Sequence, residues 1–180
     1  VLTDPTGDRQ RVYRAIGKAD FAYGTSLYDS VYYTLRKKLN KITGRKAVVV
    51  FTDGVDTTSN GAGYDTTLAF AEESDTVIFP IYYNTFDWNK ADDKPRSILL
   101  NTLGTTPEEY ALGRKYLLEL AEYTGGRVFQ AGSTTDSLTA AFQGISEELS
   151  RQYNLGYIPA NGGSSGQRKE IRVRVDRPNL

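Results

Sequence analysis

Lys46-Ala47-Val48-Val49-Val50-Phe51-Thr52-Asp53-Gly54 is the stretch whose reading decides the fold. Ala47 to Phe51 are five consecutive apolar residues. A run of that length and composition predicts a strand buried on both faces, as in parallel sheets. The run closes on Thr52-Asp53-Gly54, which sets a carboxylate at the strand's carboxyl end, where open α/β sheets hold their ligands. Upstream, Gly24-Thr25-Ser26-Leu27-Tyr28-Asp29 reads as a glycine turn opening an amphipathic helix. A hydroxyl on one loop and a carboxylate on a neighbouring strand end make half of a hard-cation site.

Working outward, helices and strands alternate. Val1 to Asp4 read as the end of a strand, followed by a short helix with Val12 and Ile16 on its inner side. The helix opening near Ser26 carries Leu27, Val31, Leu35 and Leu39 as a buried stripe, with Ser26 and Asp29 spaced as a capping box. After the strand come a turn-rich loop over 53–63, a helix over 66–74 and the apolar run Val77 to Tyr82, which Pro80 weakens as a ladder strand. Residues 84–107 show no period and read as a long functional loop. A helix over 108–124 ends on Gly125, a short strand follows at Arg127-Val128-Phe129, and Ser133 with Asp136 opens a last helix. In the tail, Tyr153, Leu155 and Tyr157 alternate with polar residues, as do Ile171, Val173 and Val175. That pattern predicts an antiparallel hairpin with one wet face.

Composition excludes several chemistries. The 180 residues fit one domain with a real core, and 22 basic residues balance 22 acidic ones. No basic stripe points to nucleic acid, and no apolar stretch reaches the roughly 18 residues of a transmembrane helix. Cysteine and histidine are absent. Thiol nucleophiles, zinc thiolates and the commonest general base are therefore excluded, and a metal here is held by oxygen.

Gly24-Thr25 before a helix, Gly44-Arg45-Lys46 leading into Thr-Asp-Gly, Thr124-Gly125-Gly126-Arg127 before a short strand, and Gln152-Tyr153-Asn154-Leu155-Gly156-Tyr157 follow one another in order. Together they resemble the von Willebrand factor type A domain, most closely a bacterial branch of related exported proteins. The resemblance implies an α/β fold, a Rossmann-like, mostly parallel sheet flanked by helices. Residues 1–151 would form the carboxyl-terminal two-thirds of that domain, and 152–180 the hairpin packed on it. The family's first motif, Asp-x-Ser-x-Ser, occurs nowhere in the sequence. In the family it closes a strand beside the one that here is 46–52. A companion amino-terminal polypeptide or a swapped segment is therefore expected to complete the sheet.

The resemblance also implies a metal-ion-dependent adhesion site. Thr25 would be the threonine ligand, Asp53 the strand-end aspartate and Asp56 a possible outer-sphere group. The ion would be Mg2+, or Mn2+ or Ca2+, bound only when the missing motif is supplied. A protein partner's Glu or Asp carboxylate would fill the open position. Helix capping by Thr25, turn formation by Asp53 and a solvated Asp56 are the structural alternatives for the same residues. Trp88, in the long loop, is a candidate partner anchor. The implied function is a metal-dependent protein-binding module, secreted, periplasmic or at the cell surface. The alternative is an assembly domain with an incomplete metal site. An enzyme is not expected, because no nucleophile–base pair is visible.

Overall fold

A computed structural model describes residues 2–20, 24–86 and 106–152, with 156, 158, 171 and 174 singly. The predicted hairpin, Trp88 and most of the long loop lie outside the described residues.

The chain is α/β. Three parallel strands, β1 (Lys46–Thr52), β2 (Thr76–Tyr83) and β3 (Phe129–Ala131), lie in the order β1-β2-β3. Helix α1 spans Arg9–Ile16, and α2 spans Leu27–Tyr33 before winding on as a π-helix over Thr34–Leu39. Helices α3 (Tyr64–Glu72), α4 (Pro107–Thr124) and α5 (Thr135–Ser150) follow.

Side-chain alternation along β2 builds a core on each face of the sheet. Ile78 and Tyr82 join Leu27, Val31 and Leu35 of the α2 stripe, Leu68 and Ala71 of α3, and Tyr116, Leu117 and Leu120 of α4. Phe79 and Ile81 pack on the other face against Ala141 and Ile145 of α5. Burial of this many large apolar side chains is the main driving force for the fold. Pro80 sits inside the central strand, in register with Val50. Its missing donor is tolerated beside β3, which pairs only from Ile81 onward. One residue pair earlier on that side, the Ile78 N–H donates instead to the Thr124 hydroxyl at 3.0 Å, so the end of α4 substitutes for a strand.

The expectation that 46–52 is buried on both faces is corrected. Val48 and Val50 pack half-buried against the core, whereas Val49 and Phe51 on the opposite face are 40% and 55% exposed. β1 is the outer strand of the described sheet, and α5 covers β2 and β3 rather than β1. Residues 2–4 form no strand, and Ala15 rather than Ile16 is the buried residue of α1. Thr134, one residue after the expected Ser133, caps α5. Helix α4 opens on a Thr106–Glu109 capping box and ends on Gly125 at φ 74°, the left-handed stop its sequence predicts.

Candidate functional site

The strand-end surface begins where β1 stops. The Thr52 hydroxyl accepts the Gly54 N–H, and Asp53 Oδ1 accepts the Val55 N–H, both at 3.0 Å. These side chains therefore shape the turn that lets the chain leave the sheet. Gly54 has φ +86°, and a Cβ there would lie 2.6 Å from the Gly113 backbone of α4. Only glycine meets both conditions. Asp53 Oδ2 accepts the Thr85 hydroxyl at 2.5 Å, and that hydroxyl lies 2.9 Å from the Tyr110 hydroxyl. The carboxyl ends of β1 and β2 and the start of α4 thus meet in one polar chain. Arg114 stacks over Tyr82 nearby, 6.0 Å from the ring centroid.

The loop over 53–63 then crosses to the start of α2. Thr57 and Thr58 donate their N–H groups to the Thr25 carbonyl at 2.8 and 3.2 Å. The Thr57 hydroxyl accepts the Thr25 N–H at 2.6 Å, and Ser26 and Thr58 share a hydroxyl contact at 2.7 Å. Asp56 Oδ2 accepts the Leu27 and Tyr28 N–H groups at 3.0 and 3.4 Å, while its Oδ1 accepts that of Ser59 at 3.1 Å. Asp56 is therefore the carboxylate at the amino end of α2, where orphan donors and the helix dipole favour one. Ser26 makes no side-chain capping bond. Its expected partner Asp29 turns outward and accepts the N–H groups of Asn60, Gly61 and Ala62. Those donors, Asn60 foremost, hold the Asp29 carboxyl below its ordinary range.

The structure thus brings Thr25 and Asp56 together and places Asp53 three residues before Asp56 on the same loop. Thr57, Thr58, Thr85 and Tyr110 were not expected here. The hydroxyl run Thr57-Thr58-Ser59 directly after Asp56 was their only local signal.

Among the described residues the donors are too few for a resident divalent ion. Such an ion takes about six oxygens, several of them charged or from water. Both oxygens of Asp29 and of Asp56 already accept backbone N–H groups. Asp53 is committed to Val55 and Thr85. Among the described residues no group of three or more Asp, Glu, His or Cys could hold a metal. Thr25 and Asp53 alone are too few ligands for the implied Mg2+, Mn2+ or Ca2+.

No protein-family profile matches this chain, and no curated protein does. A solved structure from Vibrio fischeri, described as an uncharacterized membrane spanning protein, is similar at 16% identity and a TM-score of 0.40. The match covers 79% of this chain and 67% of that one. The expected secreted, periplasmic or cell-surface location is corrected at this point, since the similar protein is described as membrane spanning. No location takes its place. A likeness at a TM-score of 0.40 assigns none, and among the described residues no helix is long and apolar enough to cross a membrane.

Proposed function

We propose that the chain is a protein-binding and assembly domain without enzymatic activity, organised like a von Willebrand factor type A domain. In this reading its strand-end surface is the docking platform. The supporting observation is the mutual fastening of 24–29 and 53–62, in which Asp56 and Asp29 clamp one loop to the other through backbone N–H groups. A platform held this way loses little conformational freedom on binding, which favours recognition of another protein.

In this first form docking is metal-free, and Asp29 and Asp56 serve to fasten the loops to one another. A second reading keeps the cation: Thr25 and Asp53 would contribute to a Mg2+ site that receives a partner's Glu or Asp, once other oxygen donors join them. The position of Asp53 at the end of β1 and the tie between Thr25 and the same loop favour it. A companion polypeptide would supply those donors.

Photo-crosslinking tests the platform. A photoreactive residue at exposed Asn60 should capture a specific protein. The same residue at exposed Glu122, near the carboxyl end of α4, should not. Equal capture at both positions, or none at 60, would remove the platform reading. Calorimetric titration with MgCl2 separates the two forms. The metal-free form predicts no saturable heat, whereas a site abolished by Asp53→Asn and by Thr25→Ala would establish the second.

A further inference from the structure

The sequence holds Asn-Gly at 60–61, and a second such pair at 161–162 lies outside the described residues. A glycine after asparagine leaves no Cβ to hinder attack of the following backbone nitrogen on the asparagine side chain. Such a pair is the dipeptide most prone to lose its side-chain amide as ammonia. Asn60 and Gly61 are both exposed, so water reaches them. Their peptide nitrogens are nevertheless occupied. Asp29 Oδ2 accepts the Asn60 N–H at 3.1 Å, and Oδ1 accepts those of Gly61 and Ala62 at 3.1 and 2.7 Å. Oδ2 also lies 3.4 Å from the Gly61 nitrogen. A Cβ at residue 61 would sit 3.1 Å from Asp29 Oδ1, closer than ordinary van der Waals contact. The clamp therefore favours glycine at 61, and that glycine is what makes Asn60 labile.

We propose that Asn60 is a latent deamidation site, held closed by the Asp29 carboxylate. In the reaction the Gly61 nitrogen gives up its proton to water and attacks Asn60 Cγ, forming a C–N bond. The Cγ–Nδ2 bond breaks, and the side-chain nitrogen takes up a proton and leaves as ammonia. Water then opens the imide ring at either carbonyl, which gives aspartate or isoaspartate at 60.

Asp29 opposes the first step in two ways. The attacking nitrogen must leave the carboxylate and turn toward Cγ, which breaks a charge-assisted hydrogen bond. Loss of its proton also puts negative charge beside a carboxylate, which like charges disfavour. Asp29 is itself a poor base, since the same N–H groups hold its carboxyl below the ordinary range. Attack therefore proceeds only from molecules in which the clamp has opened locally. The product adds a second negative charge beside Asp29, and the repulsion keeps the clamp from closing again. Deamidation thus loosens the tie between 24–29 and 53–62 for good.

The inference stands on the contacts of Asp29 and does not depend on the platform reading. Peptide mapping by mass spectrometry after incubation at neutral pH tests it, with a synthetic peptide of residues 57–64 as the unclamped reference. Asn60 in the folded chain should deamidate about tenfold or more slowly than in the peptide. Asp29→Ala should bring the folded chain to within about threefold of the peptide. In that variant the Leu27 and Tyr28 amides, which Asp56 holds, should stay protected from hydrogen exchange. Equal rates in the parent chain and the peptide would overturn the proposal. So would an Asp29→Ala chain as slow as the parent. Loss of Leu27 and Tyr28 protection in the variant would show that loop closure as a whole, not the carboxylate, shields Asn60, and would overturn it as well.

Discussion

Asp29 accepts three consecutive backbone N–H groups, from Asn60, Gly61 and Ala62, at 2.7 to 3.1 Å. A carboxylate in that position favours its charged form, so its folded pKa lies below the unfolded value of about 3.9. The unfolded chain therefore binds the extra proton first as pH falls. The stabilisation from Asp29 is fully present above the unfolded pKa and is lost as pH drops through the lower folded one. Acid titration of stability should show this contribution in the parent chain and not in Asp29→Asn, whose curve flattens below about pH 4. Identical acid limbs would show that the three donors do not discriminate the charged form. Spacing alone made Asp29 the capping partner of Ser26. Its real partners lie 31 to 33 residues away, and the true cap, Asp56, lies 29 residues from Leu27. Local pattern found the right residue types at the right turn. It could not find contacts that exist only once the loop folds back.

Between elements, α3 and α4 are joined by one buried polar contact set among aromatic rings. Tyr116 is wholly buried and donates its hydroxyl to Thr67 Oγ1 at 3.0 Å. Tyr28 and Tyr64 pack edge-on against its ring, at 4.8 and 5.1 Å between centroids. Burial drives the Tyr116 pKa upward, as it does for a phenol with no access to water. The two ends of this hydrogen bond are not equivalent. In Tyr116→Phe, Thr67 still donates to the Gly63 or Tyr64 carbonyl, so the loss is that of one ordinary bond, about 0.5–1.5 kcal/mol. In Thr67→Val the Tyr116 hydroxyl is stranded in the core, at a cost of about 1–3 kcal/mol. Urea unfolding of both variants should rank them in that order, and the reverse ranking would mean that the Tyr116 hydroxyl finds another acceptor. The helical stripe Leu27–Val31–Leu35 was readable because it repeats at the helical period, whereas in α4 the sequence sets Leu117, Leu118, Leu120 and Ala121 inward and the structure leaves Leu118 51% exposed. Pro80 was harder: proline argues against a central strand. Only the short β3 and the Thr124 hydroxyl explain how β2 accommodates it.

For the whole molecule, the five apolar residues of β1 describe a strand with more cover than the described sheet gives it. The sequence was legible as to element, direction and the aspartate at its end. Its burial was not, because that depends on what lies beyond the outer edge. Val49 is central to this tension: apolar, 40% exposed and on the outer strand of the described sheet. Edge strands of this kind pair with one another unless a charge opposes it. Val49→Lys places such a charge on the outer face without touching the packed Val48 and Val50. Light scattering across a concentration series should show less self-association for the variant. Its unfolding free energy should stay within about 0.5 kcal/mol of the parent, as for other surface substitutions. A large loss of stability would show instead that the outer face of β1 is covered within this chain. The open edge would then be a property of the described residues only, and the apolar run would need no partner at all.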